Sequence, residues 1–319
     1  MLVLGASFPL LLMKLIRHLL MLTAAALLAS SPAFGTPVTI PLWPEGIPNA
    51  KDLGPEQIDE RGFVTNISQP TLVVYPAAVD RPNGTAVIVC PGGGYRGLSR
   101  AREGVQYANW LSHLGITAFV LTSRVTEFGH PAPLQDVLRA VRLVRSRAAE
   151  FKIDPARIGV MGSSAGGHLA ASAGTLYDHA HGRTGGPLDA VNARPDFLIL
   201  MYPVITFDDP AAHAGSRELL LGKNPSPELL QLLSVEKQVT AQTPPTLLIH
   251  TQEDQTVPIE NSIVFFQALT RAKVPAEFYA FERGSHGMGM RDGLGTASAW
   301  PKRAEEWLHA RGLLQPATR

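Results

Sequence analysis

The chain has 319 residues, 45% of them hydrophobic and 17% charged. That is enough for one large core, so one domain is expected rather than two. Its 28 Lys and Arg stand against 27 Asp and Glu, a balance that argues against nucleic acid or an anionic membrane surface as the main partner. The single cysteine, Cys90, cannot close an internal disulfide and, at the end of an apolar run, reads as a core thiol.

Residues 1–35 read as a secretory signal peptide. Lys14, Arg17 and His18 form a basic region, Leu19 to Ala29 is apolar apart from Thr23, and Ala33-Phe34-Gly35 has the small-x-small pattern of a cleavage site. Met13-Lys14 would begin a signal of ordinary length, so either Met1 or Met13 can be the start. The apolar run is shorter than the roughly 20 residues that a spanning helix needs. Cleavage before Thr36 would remove Lys14 and Arg17, leaving 26 basic groups against 27 acidic ones. The expectation is a secreted or periplasmic protein, free of the membrane once the signal is removed, with one domain over residues 36–319.

A short strand is expected over Val38 to Trp43, followed by a Pro- and Gly-rich loop through Gly62. Thr71–Tyr75 and the apolar run Thr85–Cys90 are strands, and the second leads into Pro91-Gly92-Gly93-Gly94-Tyr95. Glu103 to Leu114 has helical spacing and Gly115 stops it; Ile116–Leu121 is again a strand. Leu134, Val137, Leu138, Val141, Val144, Ala148 and Phe151 recur at three and four residues, predicting a helix on one sheet face. Arg139, Arg142 and Arg145 lie around its other side, where a solvated or ion-paired role is expected. Arg157–Met161 is a strand, and the small-residue run after Gly166 is a helix. Phe197–Tyr202, Thr246–His250 and Ala276–Phe281 complete the strands, with helices from Pro258 to Arg271 and around Trp300, Ala304, Trp307 and Leu308. Pro203 to Thr243 has no strand character and is expected to form a cap insertion, with one helix over Ser226–Leu233. Strands alternating with helices imply a mostly parallel central sheet with helices on both faces, an α/β fold.

The chemistry gathers at Gly162-Ser163-Ser164-Ala165-Gly166. This G-x-S-x-G sequence lies between a strand and a helix, the context of a nucleophile elbow, and its glycines leave room for a sharp, strained bend at Ser164. Acyl transfer by a serine also needs a base, a carboxylate to orient it and donors for the oxyanion. Asp254 is the candidate carboxylate, in the loop directly after a strand and ahead of Pro258, with Glu253 expected in solvent. His286, in the glycine-rich Gly284-Ser285-His286-Gly287-Met288-Gly289, is the candidate base. The order Ser164, Asp254, His286 is that of α/β-hydrolases. The amides of Gly93, Gly94 and Ala165 are candidates for the oxyanion hole. His168, one helical turn after Ser164, is expected to pack or hydrogen-bond under the elbow. His179 and His181 have no spaced Cys, Asp or Glu beside them and carry no metal signal, and no cofactor is called for.

The segments Cys90 to Tyr95, Gly162 to His168, His250 through Asp254 to Pro258 with Asn261-Ser262, and Gly284 to Gly289 resemble the α/β-hydrolase esterases related to acetylxylan esterases and bacterial feruloyl esterases. The resemblance runs from Leu42-Trp43-Pro44-Glu45-Gly46 to the Trp307 helix. It implies Ser164, Asp254 and His286 as the triad and Gly93, Gly94 and Ala165 as the oxyanion hole. Pro91 stands where many related enzymes have His, and Ser163 and Met288 where Phe is common. Ser163 and Met288 are therefore expected at the wall of the substrate pocket; Tyr95 either lines the acyl pocket or packs. The resemblance further implies acetyl or short acyl esters, on small molecules or on plant-wall polysaccharide, with feruloyl esters or general carboxylesters as alternatives. A prolyl-oligopeptidase-like peptidase would need a large extra domain, for which the chain has no room. A non-catalytic binding protein on the same fold would be expected to have a broken triad.

Overall fold

Eight strands pair in the order β1-β2-β4-β3-β5-β6-β7-β8. They are β1 (Val38–Pro41), β2 (Thr71–Tyr75), β3 (Ala86–Cys90), β4 (Thr117–Thr122), β5 (Ile158–Ser163), β6 (Phe197–Met201), β7 (Thr246–Thr251) and β8 (Ala276–Phe281). The computed structural model describes residues 36–78, 82–208 and 210–316. The expected signal peptide and both candidate start residues lie outside the described residues. The described residues from 37 onward form one compact unit.

β1–β2 and β2–β4 run antiparallel, and every pairing from β4 through β3 to β8 is parallel. The central strands are buried on both faces, which is why they read as unbroken apolar runs rather than alternating ones. Their side chains nevertheless divide by parity. Ile88, Phe119, Val160 and Leu200 pack into one core; Val87, Val120, Met161 and Ile199 pack into the other.

The first core is closed by α2 (Ala132–Ser146), α3 (Ser164–Thr175) and α6 (Glu260–Arg271), through residues such as Val141, Ala170 and Phe265. The second is closed by α1 (Gln106–His113) and α7 (Trp300–Ala310), through Tyr107, Leu111, Trp300 and Trp307. Two expected helices are subdivided. The segment that was expected to start at Glu103 begins as a wider π-helical turn, Arg100–Val105, before α1. The helix expected to run to Phe151 breaks at Arg147 between α2 and a single turn, Ala148–Phe151.

The arginines of α2 are ion-paired: Arg139 with Glu45, Arg142 with Asp189, Arg145 with Asp196. Arg139 and Arg142 are buried rather than solvated, because the loops bearing Glu45 and Asp189 cover them. A deeper pair joins Arg124, just past β4, to Asp136 of α2 at 2.8 Å, with both side chains fully enclosed and Trp43 Nε1 donating to the same carboxylate.

The segment between β6 and β7 carries two helices, α4 (Ala214–Leu221) and α5 (Pro227–Leu233), the second opening at Ser226 as expected, with the Ser226 hydroxyl capping it. Buried Asn261 of α6 pins this insertion: its carbonyl oxygen accepts from the amides of Ile205 and Thr206, and its amide donates to Ala211 O.

Candidate active site

The elbow follows from close approach. A Cβ on Gly162 would lie 2.0 Å from Gly166 O, and one on Gly166 would lie 2.1 Å from Cys90 O. Only hydrogen fits at either position, so β5 can turn into α3 within one residue. That residue is Ser164, at φ +55, a left-handed backbone that non-glycine residues enter at a cost and that strand-to-helix elbows exploit. Its side chain stands over the C-terminal edge of the sheet with the first turn of α3 beneath it.

The loops after β7 and β8 bring the other two groups to that edge. The Asp254 carboxylate is locked by the amides of Thr256 and Val257, each 2.9 Å from Oδ1. His286 Nδ1–H donates to Asp254 Oδ2 at 2.6 Å, and the Ser164 hydroxyl donates to His286 Nε2 at 2.8 Å. Ser164 and Asp254 are buried, while about a fifth of the His286 side chain faces solvent. Burial pushes the Asp254 carboxyl up, but hydrogen bonds from His250 and His286, the His286 charge and the Val257 amide outweigh it and hold the group well below the usual carboxylate range. Glu253 is exposed, as expected, and accepts from the Gly284 amide.

The loop after β3 curls beside Ser164. Gly93, Gly94 and Tyr95 all take positive φ, and the loop is held by Arg96 N–H to Gly93 O and Ser99 N–H to Gly92 O. Among the described residues the Gly93 and Gly94 amides have no acceptor. Ala165 begins α3, where amides of the first turn have no partner inside the helix. These are the three donors expected from the sequence.

Ser163 and Met288, expected at the pocket wall, lie elsewhere, and Tyr95 takes the packing alternative. Tyr95 is 5% exposed, and its hydroxyl donates to His168 Nδ1 under the elbow. Ser163 is the last residue of β5 and fully buried, its hydroxyl turned to the Tyr107 hydroxyl at 3.2 Å. Met288 is also fully buried, packed in the core beneath α7. Next to a serine that points out of the sheet edge, strand parity sends Ser163 inward, and Met288 follows the glycine turn back into the core. All three support the site from behind.

His168 does pack and hydrogen-bond beneath the elbow: Nδ1 accepts from Tyr95 and Nε2–H donates to Leu233 O. Burial pushes its imidazole down to about 4. Cys90 is a buried thiol, and burial pushes it up, away from reactivity. His181 meets both His179 and a third ring, His130, but no group of three or more His, Cys, Asp or Glu among the described residues is arranged to hold a metal ion.

Two further residues support the machinery. Buried His250, on β7, accepts from the Ser262 hydroxyl at Nδ1, and its Nε2–H points between Val257 O and the Asp254 carboxylate. His213 opens α4 with Nδ1 accepting from Ser216, whose Oγ lies 4.0 Å from where a Cβ on Gly94 would sit. The insertion therefore flanks the oxyanion loop.

Mostly parallel sheets of this strand order, with a serine elbow after the fifth strand, are α/β-hydrolase folds, and by architecture this chain is one of them. Within that class the chain belongs to the BD-FAE family, which it matches over residues 72–269. It is 41% identical over 206 residues to endo-1,4-beta-xylanase B of Butyrivibrio fibrisolvens, covering 63% of this chain and 32% of the relative. It is 34% identical over 214 residues to an acetylxylan esterase of Xylanibacter ruminicola, covering 66% and 42%. The chain thus spans less than half the length of these curated relatives. A solved structure, the acetyl ester-xyloside bifunctional hydrolase from Caldicellulosiruptor lactoaceticus, superposes with a TM-score of 0.78 at 40% identity, over 89% of this chain and 99% of the other.

Proposed function

We propose that this protein is a serine ester hydrolase that removes acetyl or short acyl groups from carbohydrate esters, with xylan-type polysaccharide as the favoured substrate. The observation that carries the reading is the unbroken hydrogen-bond chain from Asp254 through His286 to Ser164, at 2.6 and 2.8 Å, beside the free amides of Gly93 and Gly94. Ser164 Oγ attacks the ester carbonyl as His286 Nε2 takes its proton. The ionised Asp254 holds the imidazole in the tautomer that can accept it and stabilises the imidazolium. The tetrahedral oxyanion is bound by the amides of Gly93, Gly94 and Ala165, each donor in such a hole being worth about 3 kcal/mol. His286 returns the proton to the leaving alcohol, and water, activated by the same imidazole, releases the acid from the acyl-enzyme.

The names of the relatives support acetyl esters of xylan over other acyl or alcohol parts. Secretion through cleavage of residues 1–35 is part of the same reading and would bring the enzyme to an extracellular polymer. The test is a panel of acetylated xylan, methyl ferulate and p-nitrophenyl esters of rising chain length. Higher kcat/KM for acetate release from xylan than for the small esters supports the reading. Preference for methyl ferulate, or activity confined to p-nitrophenyl esters, refutes it.

A further inference from the structure

The carboxylate of Glu103 belongs to none of the steps above, yet it is buried at the centre of the site. It projects from the π-helical turn before α1 and is 5% exposed. Its Oε2 accepts from the Gly92 amide at 2.9 Å, and its Oε1 accepts from the Tyr202 hydroxyl at 2.7 Å. Gly92 is the residue before the two glycines whose amides face the oxyanion. A Cβ on Gly92 would meet both Glu103 Oε2, at 2.6 Å, and Ser164 Cβ, at 3.0 Å, so carboxylate, loop and nucleophile are stacked without a gap.

Tyr202 carries the connection to the other side of the site. Its backbone is at φ +36, one residue past β6, and its ring lies edge-on to His286 with centroids 5.1 Å apart. Its hydroxyl accepts from the Gly289 amide at 3.3 Å and lies 3.1 Å from the Tyr107 hydroxyl, which is the partner of Ser163. Glu103 Oε1 also lies 3.9 Å from where a Cβ on Gly287 would sit, directly under the turn that follows His286. Burying a carboxylate is costly unless its lone pairs are used, and here they go to loops of the site, not to a distant scaffold.

We propose that Glu103 is a positioning residue, a single buried carboxylate that ties the Gly92–Gly94 loop to the His286 loop and so sets the oxyanion amides and the imidazole in register around Ser164. This rests on the ester-hydrolase reading and adds a part to it. A neutral amide at the same place can accept from Gly92 or from Tyr202, not from both, since its NH2 group only donates.

The test compares wild type, Glu103→Gln and Glu103→Asp on p-nitrophenyl acetate, with thermal melting measured alongside. Glu103→Gln is expected to lower kcat about 10- to 100-fold, less than loss of an oxyanion donor, with little change in KM. Glu103→Asp, which keeps two acceptor oxygens, should recover part of the lost kcat. A folded Glu103→Gln with wild-type kcat overturns the proposal. Labelling of Ser164 by a fluorophosphonate reads the same register without an ester: equal rates in wild type and Glu103→Gln also overturn it. No labelling of wild type refutes the nucleophile itself, and the proposal with it.

Discussion

His168 is a fully buried imidazole under the elbow, and its cost can be read as a pH dependence of folding. Both ring nitrogens are committed in the neutral form, one accepting from Tyr95 and one donating to Leu233 O, so the folded protein resists protonating it until about pH 4. In the unfolded chain the same ring takes a proton at its ordinary value of 6.5. Between those values the unfolded state binds more protons, so stability falls as pH is lowered through the window and is independent of this group above it. The difference corresponds to about 3 kcal/mol. His130, pushed down to about 3 by burial and by the neighbouring His181, His168 and His179, adds a parallel slope, so wild type alone cannot isolate the effect. The comparison is therefore wild type against His168→Gln, by urea unfolding at a series of pH values. The variant is expected to be less stable near neutrality, having lost one of the two hydrogen bonds. Its deficit should then shrink by about 3 kcal/mol on acidification to about pH 4. A deficit constant across the window would refute the claim that His168 is held neutral by its surroundings.

Other outcomes follow from the same geometry. Asp254→Asn leaves the loop intact but offers His286 Nδ1 an amide that can stabilise the wrong tautomer; kcat should fall about 10³- to 10⁴-fold, as steady-state kinetics would measure. Because Asp254 is held well below the ordinary carboxylate range, it should add no acid limb of its own to the pH profile near neutrality. Asp136→Ala strands the enclosed Arg124 guanidinium and should cost about 3–5 kcal/mol in denaturant unfolding, against which a loss under about 1 kcal/mol would show that water reaches the site.

The parts of the site legible in the sequence were those carried by contiguous residues. The elbow needs two glycines and a serine within five positions, and Asp254 and His286 each sit in a loop directly after an apolar strand. The sheet edge on which all three meet then follows from the alternation of strands and helices. The oxyanion loop was equally local. What depended on which way a side chain turns was not legible: Ser163 and Met288 lie within two residues of Ser164 and His286 yet point into the core, and Tyr95 reaches down to His168 instead of forward to substrate. Glu103 was read only as the start of a helix, because its partners, Gly92 and Tyr202, come from other segments and one is a backbone amide. Arg124 and Asp136, twelve residues apart, carry no sequence signal of their pairing, which Trp43 completes from a third segment. Burial of a charge is a property of three-dimensional neighbours, and composition carries no trace of it.

The central claim is that Ser164 forms a covalent acyl-enzyme. Its most direct test is acid-quenched mass spectrometry of the protein during turnover of p-nitrophenyl acetate, with Ser164→Ala as the control. An added acetyl group on the peptide containing Ser164, absent from the variant together with hydrolysis above background, is the predicted result. Acetyl on another residue, or undiminished turnover by Ser164→Ala, would contradict the account.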